Sequence, residues 1–148
     1  MDQDPQTTLV SPATPAGERF LIQLQHLRMP CAAIVNSSRE RKRLESLGIR
    51  QIMQIDTAEK DRNPIPDCRV GNVYLFESSL ALCCRYVQIC RDWTGRRLFV
   101  VTQGRSSRGV YQALGADHVI HTNGRDVFYL IQEEAGRELD TMKKEPFS

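Results

Sequence analysis

A chain of 148 residues that is 41% apolar and 26% charged is long enough to bury a single core without metals or disulfide staples, and its composition is that of an ordinary globular domain. The net charge of +2, with basic residues interleaved among acids and no aromatic platform beside them, argues against a nucleic-acid-binding role. No apolar run approaches membrane-span length and the N-terminus lacks the basic and apolar regions of a signal peptide, so the expectation is a cytoplasmic protein with no membrane or nucleic-acid partner.

Met1 to Pro15 is rich in Pro, Thr, Ser, Gln and Asp, a composition that does not repay the entropy of ordering, and it reads as a disordered arm over 1–15. Phe20, Leu21, Leu24 and Leu27 recur at helical spacing, which predicts a helix from Gly17 to Arg28 stopped by Pro30. A strand follows over Ala32–Asn36. Ser37, with Glu40 three positions later, forms a capping box for a short basic helix that Gly48 closes. Ile49 to Asp56 alternates as a strand, and Thr57 to Gly71 is a long polar connection.

Asn72–Phe76 is the next strand, and Glu77-Ser78-Ser79 leads into a helix whose Leu80, Cys83, Cys84, Val87 and Cys90 share one face. Leu98–Thr102 is fully apolar, as in a strand buried on both sides. A turn from Gly104 to Gly109, a short helix to Leu114 and a strand His118–His121 complete this part. Asn123 is placed to cap a last helix with Val127, Phe128, Ile131 and Ala135 inward. The domain spans 16–140, and 141–148 is a tail.

One unit occurs twice. Cys31–Thr57 and Leu98–Gly124 align at an offset of 67 positions, which lays Ala33-Ile34-Val35 on Val100-Val101-Thr102, Arg41 on Arg108 and Leu47-Gly48 on Leu114-Gly115. Each copy is a strand, a turn, a helix and a strand, and a strand returned by a helix runs parallel to the first. The fold class that follows is α/β: a three-layer sandwich with a five-stranded, mostly parallel sheet.

In such sheets ligands bind at the carboxyl ends of the strands, beside helix N-termini. The residues there suit a phosphate: Ser37, Ser38 and Arg39 after the first strand, and Gly104, Arg105, Ser106 and Arg108 after the fourth. The same serines also serve as ordinary helix caps. G-R-S-S-R-G lacks the middle glycine of a dinucleotide fingerprint and the lysine of a P-loop. His26, His118 and His121 stand alone, no Tyr-x-x-x-Lys pair occurs, and no metal-ligand spacing is present, so no catalytic residue and no metal site is assigned. The five cysteines, Cys31, Cys68, Cys83, Cys84 and Cys90, fit a reduced compartment, with three of them acting as small hydrophobes on one helix.

Two stretches carry a family resemblance. Leu114–Asp140, beginning Leu-Gly-Ala-Asp, resembles the nucleotide-binding half of medium-chain quinone oxidoreductases and of the enoyl reductases of fatty-acid and polyketide synthases. That resemblance implies that Arg105, Ser106 and Arg108 hold an NADP 2′-phosphate. Val70–Arg105 is similar to the structural ketoreductase subdomain of polyketide synthases, a truncated Rossmann fold. Together they imply a Rossmann-like, non-catalytic domain beside a reductase partner, with no cofactor of its own and with Glu77 repelling a pyrophosphate. The alternatives are an NADPH-dependent reductase completed by a partner and a nucleotide-sensing regulatory domain, since the strand, helix, Leu-Gly-Ala-Asp, strand arrangement also resembles the ligand-gating domains of potassium transporters.

Overall fold

The computed structural model describes residues 6–58, 66–104, 108–123 and 127–131. Ten elements follow one another: β1 (Thr7–Pro12), α1 (Pro15–His26), β2 (Cys31–Val35), α2 (Ser38–Ser46), β3 (Ile52–Gln54), β4 (Val70–Phe76), α3 (Leu80–Arg91), β5 (Leu98–Thr102), α4 (Arg108–Leu114) and β6 (His118–His121). The strands form one six-stranded sheet in the order β3-β2-β1-β4-β5-β6, and every pairing is parallel.

The sixth strand is the main departure from the sequence reading. Thr7–Pro12 lies inside the stretch expected as a disordered arm, yet it is the central strand, with its last five residues buried. It pairs with β2 on one side and β4 on the other. Composition misled here because only Leu9 and Val10 are strongly apolar, while Thr8 and Ser11 are buried polar residues that a sequence pattern counts as solvent-facing.

Side chains alternate across the sheet as strand geometry demands. Leu9, Ile34, Val73, Leu75, Leu98 and Val100 pack with Cys83, Val87, Cys90 and Tyr111 from α3 and α4. Val10, Ala33, Val35, Tyr74, Phe76 and Val101 pack on the other side with Phe20, Leu21 and Leu24 of α1 and Leu44 of α2. Val127, Leu130 and Ile131 join this second layer, whereas Phe128, expected to face inward, is exposed. Ala135 and residues 141–148 lie outside the described residues.

The repeated unit is realised. Adding 67 to the bounds of β2 lands on those of β5, and Gly48 and Gly115, also 67 apart, both hold a left-handed φ, 86° and 121°. At Gly48 the helix closes as expected from a C′ glycine: the Gly48 N–H reaches the Glu45 carbonyl and the Ile49 N–H the Leu44 carbonyl.

Candidate functional site at the carboxyl ends of β1, β2 and β4

The order of strands reverses between β1 and β4, so the chain leaves these neighbours toward opposite faces and opens a crevice at their carboxyl ends. Pro12 and Phe76 stand side by side there. The turn after β1 runs Pro12-Ala13-Thr14-Pro15-Ala16-Gly17. Thr14 is the N-cap of α1, and its Oγ1 accepts the Gly17 N–H at 3.1 Å. Pro15 follows at the first helical position, where its missing N–H costs nothing.

Gly17 has no room for a side chain: a Cβ would lie 2.8 Å from Phe76 Cγ and 2.9 Å from Pro12 Cα. Close helix-to-strand packing is the task of the third glycine in a G-x-G-x-x-G turn. Counting back from Gly17, the first two positions of that turn hold Pro12 and Thr14. The fingerprint is therefore sought at 12–17 rather than at 104–109, and it survives only at its packing position. Thr14 already occupies the Gly17 N–H and Pro15 has none, so the terminus of α1 is largely closed to a pyrophosphate.

The end of β2 is more open. Ser37 caps α2, and its Oγ accepts the Glu40 N–H at 3.2 Å, which leaves the hydroxyl proton free to be donated. Ser38 and Arg39 are exposed. Asn36 occupies the strand end and donates weakly to Thr57 Oγ1 at 3.4 Å. The Glu40 carboxyl is half-buried; that burial pushes its pKa up, and a backbone hydrogen bond with Asn36 acts in the opposite direction.

Beyond the reversal point side chains at the strand ends bond to one another. Glu77, at the end of β4, accepts hydrogen bonds from the Thr102 hydroxyl of β5 and the Tyr111 hydroxyl of α4. Thr102 Oγ1 in turn accepts the Gly104 N–H at 2.9 Å. Burial, and then the bond to Glu77, push the Tyr111 phenol pKa well above its ordinary value. Glu77, expected to repel a pyrophosphate, is engaged by these two hydroxyls.

The structure thus separates the residues grouped as candidate phosphate ligands. Ser37, Ser38 and Arg39 sit at β2, and Gly104 and Arg108 sit after β5, with β1 and β4 between them. Three strand spacings of about 4.8 Å put the two groups about 14 Å apart, so they cannot share one phosphate. Arg108 also reaches toward β6, to the Val119 carbonyl at 3.3 Å and His121 Nδ1 at 3.4 Å. Arg105 and Ser106 lie outside the described residues.

Two of the three histidines lie on the outer strand β6, and His26 is exposed in the last turn of α1. His118 stacks on Phe99 with ring centroids 5.0 Å apart, and His121 meets Arg108. Tyr86 was passed over by the sequence reading. Its hydroxyl is buried without a hydrogen-bond partner among the described residues, and burial, with Glu40 nearby, pushes its pKa up.

No protein-family model matches the chain, and no curated protein matches it in sequence. Solved structures do. The NAD(P)-binding domain of an exopolyphosphatase-related protein from Archaeoglobus fulgidus superposes with a TM-score of 0.62 at 14% identity, over 90% of this chain and 97% of that one. The TrkA-N domain of the inner membrane protein ybaL from Escherichia coli also scores 0.62 at 14% identity, over 95% and 98%. The GsuK channel bound to NAD scores 0.62 at 10% identity, over 80% of this chain and 22% of that one. None of the three is a synthase reductase, so the polyketide-synthase part of the sequence resemblance is not carried by them. At these identities the likeness establishes the fold: the chain is a Rossmann-like α/β domain with a six-stranded parallel sheet.

Proposed function

We propose that the chain is a non-catalytic, nucleotide-sensing regulatory domain, with an adenine nucleotide held at the carboxyl end of β2. The observation that carries this reading is the end of β2. Asn36 stands where a carboxylate would select a free ribose 2′-hydroxyl, and Ser37, Ser38 and Arg39 offer hydroxyl and guanidinium donors at the start of α2. The ligand class therefore carries a phosphate on or near that ribose, as NADP does. The similar folds support a nucleotide rather than no ligand, since one is described as an NAD(P)-binding domain and another is a channel bound to NAD.

The regulatory rather than enzymatic reading rests on where the proton-transfer groups lie. His118 and His121 belong to the edge strand β6, two strands beyond the reversal point. The residues that follow β5 in sequence, Gly104, Arg105, Ser106 and Arg108, are assigned to the β5 end of a long ligand. A protein partner that reads the bound state belongs to this proposal as well.

Isothermal titration with NADP and NAD tests it. NADP is expected to bind at least tenfold more tightly, the worth of a charge-assisted contact of about 1.5 kcal/mol. Arg39→Ala should erase that preference, whereas Arg105→Ala with Arg108→Ala should leave the NADP to NAD ratio unchanged. Absence of binding by either nucleotide at millimolar concentration overturns the proposal.

A further inference from the structure

The edge of the sheet opposite the crevice carries a second surface. Five exposed arginines lie on the segments that lead into four of the strands: Arg28 before β2, Arg50 before β3, Arg69 before β4, and Arg96 and Arg97 before β5. Parallel strands all present their amino ends to one edge, so these residues, spread over 70 positions of sequence, form a single row. In sheet order the row reads Arg50, Arg28, then across β1 to Arg69 and the Arg96–Arg97 pair. With strands about 4.8 Å apart it spans about 20 Å.

Among the described residues these guanidinium groups hold no ion pair. Arg41, Arg43 and Arg91, by contrast, each pair with a carboxylate. Among the described residues the acids at this edge are Glu45, which pairs with Arg41, Asp67, which is exposed, Asp92, which has interactions of its own, and Asp117, held by Arg91 at 2.9 Å and by the Leu98 N–H at 2.7 Å.

Two exposed leucines stand at one end of the row. Leu27 closes α1 and Leu47 closes α2, with 50% and 38% of their surface exposed. The two segments are tied together by Gln25, which donates to the Gly48 carbonyl at 2.7 Å and accepts the Arg50 N–H at 3.0 Å. Arg28 holds a left-handed φ of 59°, a position that glycine fills more easily.

We infer that this edge is a docking surface for an anionic lipid bilayer. Arginines attract acidic headgroups, and exposed leucines on projecting turns enter the boundary between headgroups and acyl chains. A row of positive charge about 20 Å long suits a sheet of acidic headgroups, and among the described residues this edge has no exposed aromatic side chain on which single-stranded nucleic acid would stack, Trp93 being half-buried. The surface lies opposite the proposed ligand crevice and stands independently of it.

Co-sedimentation with vesicles of phosphatidylcholine alone, or with 30% phosphatidylserine, tests the inference. The full chain should pellet with the anionic vesicles at 50 mM NaCl, and remain in solution with the neutral ones and at 500 mM NaCl. Arg96→Ala with Arg97→Ala should lower the partition about 25-fold, at about fivefold per arginine, with thermal stability unchanged. Arg50→Ala with Arg69→Ala should do the same. A chain that stays in solution with anionic vesicles at low salt, that binds duplex DNA but not lipid, or that loses nothing in both double variants overturns it.

Discussion

Two glycines show how a residue's surroundings decide what it can become. Gly17 is pressed between Phe76 and the Pro12 backbone, so Gly17→Ala must push α1 off the sheet or displace a central strand. Its cost should be about 3 kcal/mol in urea denaturation, the upper range for overpacking a rigid site. Gly48 has open space around its missing Cβ but a φ of 86°, so Gly48→Ala should cost only about 1 kcal/mol, the strain of a left-handed L-residue. Tyr86 makes the opposite case. Its buried hydroxyl makes no well-formed hydrogen bond among the described residues, with Ser11 the neighbour in reach, so Tyr86→Phe removes a desolvated group and should change stability by less than about 1 kcal/mol. Gly48 was legible in sequence as the glycine that closes a helix, but the other two were not: Gly17 stood at the predicted start of a helix, and its intolerance comes from Phe76, which is 59 positions away.

Helix α3 is where the sequence spoke most clearly. Its apolar face was read from Leu80, Cys83, Cys84, Val87 and Cys90; Cys83, Val87 and Cys90 are buried and Cys84 is half-buried, while Leu80 in the first turn is exposed. The cysteines are free, and burial drives the Cys83 thiol up to about 12 and the Cys31 thiol, on β2, up to about 11. An unfolded cysteine ionises near pH 8.5. Between roughly pH 9 and pH 12, then, the unfolded chain loses these protons while the folded one keeps them, and stability falls as pH rises. Denaturation midpoints at pH 8 and pH 10 check the sign. Thiol labelling of the native protein should reach exposed Cys68 first and leave Cys83 and Cys90 protected. At the end of the preceding strand, β4, the sequence showed less. Glu77 looked like a free carboxylate because its partners, Thr102 and Tyr111, arrive from β5 and α4.

At the scale of the molecule, the repeat at an offset of 67 positions already contained the architecture, because β2-α2-β3 and β5-α4-β6 are the two outer wings of the sheet. What the repeat could not contain was its centre. β1 has just two strongly apolar residues, and its burial comes from β2 and β4 closing on both sides, so a pattern of polar and apolar residues undercounts it. The candidate site followed the same division. Ser37, Ser38 and Arg39 were found because a serine cap at a strand-to-helix turn is a local signal that Glu40 reinforces three residues later. Their separation from Gly104 and Arg108, and the closure of α1 by Thr14, depend on strand order. By itself the sequence determined the local units, the parallel wings, the caps and the left-handed glycines, since each rests on residues within a few positions of one another. Only the tertiary structure decided which strand is central, that Glu77 is engaged, and that five scattered arginines share one edge, because in a parallel sheet residues distant along the chain become neighbours through the order in which the strands assemble.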